Sequence, residues 1–331
     1  MEGSRASKEL RYLAGNTKKN ESLTMITTCP HAALEASKSG EKFVIFNGDC
    51  RDLLPILPEG SASLIVSSPP YFLGKSYDTS RQIEGFEELH RQIAEPVSKV
   101  VTAGGSVCWQ VGNHVRNGEL VPLDFAVHSI FGSIKSLTLR NRIVWTFGHG
   151  THAKKRFSGR HETILWYTSG PEYYFDLDAA RIPQKYRGKK YYKGPNKGGW
   201  SSNPAGKNPG DVWDIPNVKA NHVEKTEHPC QFPVALAQRL VVALTPVDGL
   251  VFDPFCGVGS AGIAAVMTGR NFLGAELDPR YCEIAEDRWV AVQNNSLKVR
   301  PLEKPVYEPS PNAAVARDPF EDLKGGLVCQ S

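Results

Sequence analysis

The chain has 331 residues, 40% hydrophobic and 22% charged, with a formal net charge of +4. That is enough to bury a large core, and it excludes a disordered, collagenous or disulfide-scaffold class. No apolar run approaches the ~18 residues a membrane span needs, and the polar, lysine-bearing start lacks the apolar stretch of a secretory signal. The seven cysteines (29, 50, 108, 230, 256, 282 and 329) never form a C-x-x-C pair. They read as free thiols in a reducing, cytoplasmic setting, with no structural metal site.

Residues 1–40 lack a sustained period and are expected to form a flexible arm. Lys42–Phe46 reads as a first strand, ending in the turn Asn47-Gly48-Asp49. Leu53, Leu54 and Leu57 suggest a short helix, and Leu64–Ser68 a second strand. Strand, helix and strand in under thirty residues predict a parallel α/β sheet with helices on both faces. The second strand runs into Ser68-Pro69-Pro70-Tyr71, a stiff turn because both prolines fix φ and donate no N–H. It offers a hydroxyl, a carbonyl and an aromatic face, which suits a flat heterocycle bearing an amino group.

A polar loop, Gly74–Glu84, could close over a site. Phe86–Val101 reads as a helix halted by Gly104-Gly105, then Ser106–Val111 as a strand and Leu123–Ile134 as a helix. Leu139–Phe147 and Thr163–Tyr167 read as strands joined by a basic loop containing Lys154, Lys155, Arg156 and Phe157. From Arg181 to Glu227 ten Lys/Arg face four Asp/Glu, a balance of +6, interleaved with Tyr186, Tyr191, Tyr192, Trp200 and Trp213. Cations for phosphates and rings for bases predict a surface for nucleic acid, of which double-stranded DNA is one kind. Arg187, Lys189, Lys190, Lys193 and Trp200 are its candidate contacts, together with Lys154, Lys155 and Arg156.

Pro233–Leu244 is spaced as an amphipathic helix. Leu250–Asp253 reads as a strand, Ala261–Met267 as a helix of small residues, Phe272–Glu276 as a strand and Arg280–Val292 as a helix, with a tail from Val299. Gly257, Gly259 and Gly262 satisfy G-x-G-x-x-G between strand and helix, so the backbone can approach a ligand closely, and Glu276 can accept from ribose hydroxyls. Asp253 at the strand end disfavours a phosphate ligand such as NAD and favours a cationic amino acid–nucleoside, S-adenosylmethionine.

Asp253-Pro254-Phe255-Cys256-Gly257-Val258-Gly259-Ser260 resembles the D-P-F-x-G-x-G-[ST] loop of amino-methylating DNA methyltransferases, and Ser68-Pro69-Pro70-Tyr71 resembles their catalytic turn. The catalytic turn precedes the cofactor loop, as in the circularly permuted beta group. Asn47-Gly48-Asp49, His161-Glu162 with Ile164-Leu165-Trp166, and the segment from His228 to Pro233 match further family features over residues 42–293. The resemblance implies a Rossmann-like, mostly parallel methyltransferase fold. It also implies S-adenosyl-L-methionine bound near Asp49, Asp253, Phe255, Cys256, Gly257, Gly259, Ser260, Glu276, His228 and Phe232, with catalysis at Ser68, Pro69, Pro70 and Tyr71.

The expected organisation is an arm (1–40), a catalytic half (41–170), a basic recognition insert (171–227), a cofactor-binding half (228–296) and a tail (297–331). In this family a leading Ser goes mostly with cytosine-N4 methylation and Asp or Asn with adenine-N6. The resemblance therefore implies a site-specific cytosine-N4 enzyme of a restriction-modification system, with an endonuclease acting separately and adenine-N6 as the alternative. Pro229-Cys230-Gln231 fits the nucleophile segment of cytosine-C5 enzymes. In those enzymes it follows the glycine loop, and here it precedes it. A catalytically inactive DNA-binding protein is the other remote reading. Neither the recognition sequence nor the oligomeric state is legible.

Overall fold

The computed structural model describes residues 24–71, 83–116, 118–148, 150, 152–184, 189–201, 203, 205–302 and 304. In chain order the elements begin with β1 (Thr24–Thr27), α1 (Pro30–Ser39), β2 (Phe43–Asn47), α2 (Cys50–Leu53) and β3 (Ala62–Ser67). There follow α3 (Ile83–Val100), β4 (Val101–Val111), β5 (Asn113–Arg116), β6 (Glu119–Pro122), α4 (Leu123–Phe131), β7 (Leu137–Thr146) and β8 (His161–Ser169). The chain continues with α5 (Leu177–Ala180), β9 (Val212–Asp214), α6 (Val234–Leu244), β10 (Leu250–Asp253), α7 (Ser260–Met267), β11 (Asn271–Glu276) and α8 (Pro279–Gln293).

Nine strands form one sheet in the order β1-β2-β11-β10-β3-β4-β8-β7-β9, while β5 and β6 form a separate ribbon. From β1 to β4 every pairing is parallel, and β8 is antiparallel to both β4 and β7. The central strands read as unbroken apolar runs because helices cover both faces. Alternation along each strand sends successive residues to opposite cores. Phe43, Ile45, Leu64, Val66 and Val251 join the cluster under α6, α7 and α8, while Val44, Phe46, Ile65 and Phe252 join the cluster under α1, α3 and α4.

Four expectations change. Residues 24–39, expected to belong to the arm, hold β1 and α1, and Ala33, Leu34 and Ala36 pack into the core. Gly104-Gly105 does not halt a helix: α3 ends at Val100 and β4 begins at once, with the pair inside the strand. There the register against β3 shifts between Ala62 and Leu64, and Gly104 adopts φ +75°, a conformation glycine takes without strain. The insert contributes a sheet strand, since β9 pairs with β7 in parallel and buries Trp213. The tail's start is also docked, with Leu297, Val299 and Leu302 packed against the core. The expected closing loop, Gly74–Glu84, lies mostly outside the described residues.

Helix α7 sits very close to the sheet. A Cβ on Gly262 would lie 2.5 Å from the Phe272 ring and 2.6 Å from the Phe43 ring. Gly262→Ala is therefore expected to destabilise the fold by about 1–3 kcal/mol through overpacking, read as a lower thermal midpoint. An unchanged midpoint would show that the helix can shift outward freely.

Candidate active site

Strands β10 and β3 are neighbours, but the chain leaves them in opposite directions. From β10 it winds to β11, and from β3 to β4. Such a switch point leaves a crevice at the carboxyl ends of the strands. A cavity of about 700 Å³ opens there. Ser68, Pro69, Pro70 and Tyr71 line one side. Phe255, Cys256, Gly257 and Ser260 line another, with Glu276, His228 and Phe232 completing the wall. Two loops about 185 residues apart in sequence thus meet at one cavity.

The junction is pinned by a buried hydrogen bond in which Ser67 Oγ donates to Asp253 Oδ1 at 2.6 Å. The same oxygen accepts the Phe255 N–H at 3.0 Å, turning the chain out of β10. Asp253 Oδ2 is buried with no hydrogen-bond partner among the described residues. Burial pushes the Asp253 carboxyl up to about 7, against the lowering effect of its two hydrogen bonds. Asp253 does not line the cavity itself; it lies beneath the loop, fully buried.

The glycine loop closes on itself and on β11. Cys256 N–H donates to Ala275 O at 2.9 Å, and Gly257 N–H to Glu276 Oε2 at 2.9 Å. Gly257 has φ +52°, and a Cβ there would approach His228 Nε2 to 3.3 Å, so the glycine keeps His228 seated over the loop. Gly259, at φ +73°, caps α7 beneath the loop and does not line the cavity. The buried Arg288 guanidinium donates to Val258 O and to Ser260 Oγ, fixing the loop from behind.

Glu276 Oε1 accepts the Asp278 N–H at 2.9 Å, so both carboxylate oxygens are oriented by backbone and each keeps a further lone pair. Burial raises its pKa. Asp49 is placed differently from the expectation. Its carboxylate caps α2 through the Arg51 N–H and pairs with the Arg51 guanidinium at 2.6 Å. Its neighbours Gly48 and Cys50 line the cavity in its stead.

On the catalytic side Tyr71 is half-buried, and its hydroxyl accepts from Gln110 Nε2 at 3.0 Å. The same amide donates to Glu162 Oε2. Burial, then the Glu162 charge, raises the Tyr71 phenol far above its ordinary range. Gly112 backs this group: a Cβ there would press on Glu162 Oε1 at 3.2 Å and on the Tyr71 ring at 3.3 Å.

Gln110, Trp145, Phe147, Asn217, Val218, Lys219 and Tyr281 line the cavity without having been anticipated. A polar residue inside the otherwise apolar Ser106–Val111 run was the available signal for Gln110. Nothing local marks the others, which are brought in by β7, α8 and the end of the insert.

Of the candidate DNA contacts, Lys154, Lys155 and Arg156 are exposed on the β7–β8 loop. Lys189, Lys190, Lys193 and Trp200 lie on a ribbon-like turn closed by Tyr191 N–H to Gly199 O and Ser201 N–H to Lys189 O. Lys190 Nζ sits 4.9 Å over the Trp200 ring, which is 64% exposed. Arg187 lies outside the described residues. Trp213 is a packing residue, with the Arg239 guanidinium 5.0 Å above its ring. Among the described residues, no group of three His, Cys, Asp or Glu could hold a metal ion, and no helix is long and apolar enough to cross a membrane.

The N6_N4_Mtase family model, described as DNA methylase, matches residues 62–287. The chain is 46% identical over 242 residues to the type II methyltransferase M.BglII of Bacillus subtilis, a match spanning 73% of this chain and 67% of that one. A DNA modification methylase of Thermus thermophilus, solved in complex with S-adenosyl-L-methionine, superposes with a TM-score of 0.53 at 26% identity, covering 74% of this chain and 94% of that one. The cytosine-N4-specific PvuII DNA methyltransferase shares the fold with a TM-score of 0.59 at 20% identity, covering 76% of this chain and 92% of that one.

Proposed function

We propose that this chain, which belongs to the N6_N4_Mtase family of S-adenosylmethionine-dependent DNA methyltransferases, methylates the exocyclic N4 of cytosine in duplex DNA. The observation that carries the reading is Ser68 heading the Ser68–Tyr71 turn on the wall of the cavity that the glycine loop also lines. The name of M.BglII, a type II methyltransferase, supports a role in a restriction-modification system beside a separate endonuclease.

The residues fit the cofactor. Asp253 Oδ2 is an orphaned buried acceptor suited to a cationic group. Glu276 offers oriented lone pairs to hydroxyl donors, and Phe232, Phe255 and His228 supply apolar and aromatic walls. When bound, S-adenosylmethionine supplies an electrophilic methyl group on a sulfonium.

The protein's task is then to expose a lone pair on a nitrogen that delocalises it into the ring. The Ser68 hydroxyl and the Pro69 carbonyl would accept the two amino N–H groups, favouring a pyramidal nitrogen with a directed lone pair. Tyr71 would stack on the base after it leaves the duplex, held by the Gln110 amide. The high phenol pKa keeps Tyr71 neutral, so it serves as a surface and not as a base. The exposed cations of the β7–β8 loop and the Lys189–Ser201 ribbon supply phosphate contacts.

Single-molecule sequencing of DNA from cells expressing the protein tests this reading. It should report N4-methylcytosine in one sequence context, whereas N6-methyladenine alone would replace cytosine by adenine as the target.

A further inference from the structure

Phe157 is 99% exposed, at the far end of a loop anchored on the cavity wall. The loop's base is closed where Phe147 N–H donates to Arg160 O at 3.0 Å, and Phe147 and Glu162 on either side line the cavity. Ala153 N–H donates to Ser158 Oγ at 3.0 Å, so the tip is a tied structure. Phe157 is five residues from Glu162, which lines the cavity, so its backbone lies at most about 18 Å from that of the rim, about five base-pair steps of a duplex. A single exposed apolar side chain is ordinary on a surface. This one differs in its setting. Residues 148–160 hold four cations (Lys154, Lys155, Arg156, Arg160) and no carboxylate, and Lys154, Lys155 and Arg156 are exposed beside the ring. The loop's charge suits a polyanion, and its apolar tip suits the space between stacked bases.

The geometry points to Phe157 as the wedge that enters the base stack at the target and holds the space left by the base turned into the cavity. The three exposed cations grip the flanking phosphates. Apolar side chains inserted at a base step are a known physical route to unstacking, and the cost of extrusion is lowest where pairing is already weak. The inference rests on the reading that the target base lies in a duplex.

The test uses the full-length protein and an oligonucleotide duplex carrying the context reported by sequencing. One version has the target normally paired and a second has an abasic site opposite it. Phe157→Ala is expected to slow methylation of the paired duplex at least about tenfold, and the abasic partner should restore it to within about threefold of wild type. Phe157→Leu, which keeps an apolar tip, should retain most of the rate. Equal slowing on both duplexes, or none on either, overturns the wedge. Wild-type protein that methylates only single-stranded DNA would overturn the duplex reading instead.

Discussion

Asp253→Asn is expected to weaken S-adenosylmethionine binding about ten- to a hundredfold while leaving the fold intact. The substitution keeps the size of the side chain and an oxygen for the Ser67 hydroxyl and the Phe255 N–H, so the turn out of β10 survives. What disappears is a buried negative charge whose second oxygen has no partner among the described residues. A carboxylate beneath the cavity floor attracts a cation bound above it, an effect reduced by the intervening loop and by desolvation of the partner. Titration calorimetry reads the loss directly, and unchanged affinity would remove Asp253 from cofactor recognition.

The same residue sets a pH signature. In the unliganded fold its pKa is raised from 3.8 to about 7, so between those values the folded chain holds a proton that the unfolded chain has released. Stability contributed by this group is therefore greatest below about pH 4 and declines as pH rises toward about 7, by a few kcal/mol in all. A bound cation favours the carboxylate, so cofactor affinity should fall as pH drops below about 7. Other groups titrate nearby. His90, buried between Phe86 and Trp109, is pushed down to about 4 and acts with the opposite slope. The difference between wild type and Asp253→Asn isolates the carboxyl, and both trends should vanish in the variant.

Tyr71→Ala is expected to lower methyl transfer about a hundredfold while cofactor affinity stays within about threefold, since base–aromatic stacking contributes ~1–3 kcal/mol and positioning adds to it. Tyr71→Phe keeps the ring and loses the hydroxyl's bonds with Gln110 and Ser68, so it should retain activity to within about tenfold. Single-turnover transfer with a labelled methyl group separates these variants. Equal losses of binding and transfer in Tyr71→Ala would place the ring in the cofactor pocket and not over the base.

The sheet was legible where burial on both faces leaves no polar residue in a strand, as in Phe43–Phe46, Leu64–Val66 and Leu250–Phe252. Helix α1 was not, because its core side is built from Ala33, Leu34 and Ala36 within a run of Ser, Lys and Glu. Strand β9 was hidden because three residues in a loop-rich insert carry no period; its pairing with β7 depends on a partner about 70 residues earlier. In the site, the Ser68–Tyr71 turn and the Asp253–Ser260 loop were legible because each is a local backbone device. The Gln110–Tyr71–Glu162 contacts were not, since they join three strands' ends that only the folded sheet brings together. Asp49 shows the converse: a motif position whose carboxylate is taken up by its own neighbour, Arg51.

The central claim is that the Ser68–Tyr71 turn presents the amino group of cytosine to the methyl donor. Mass spectrometry of nucleosides from DNA methylated in vitro by the purified protein tests it most directly. The account predicts N4-methylcytosine as the product, formed about a hundredfold more slowly by Tyr71→Ala. N6-methyladenine or 5-methylcytosine in its place would contradict it.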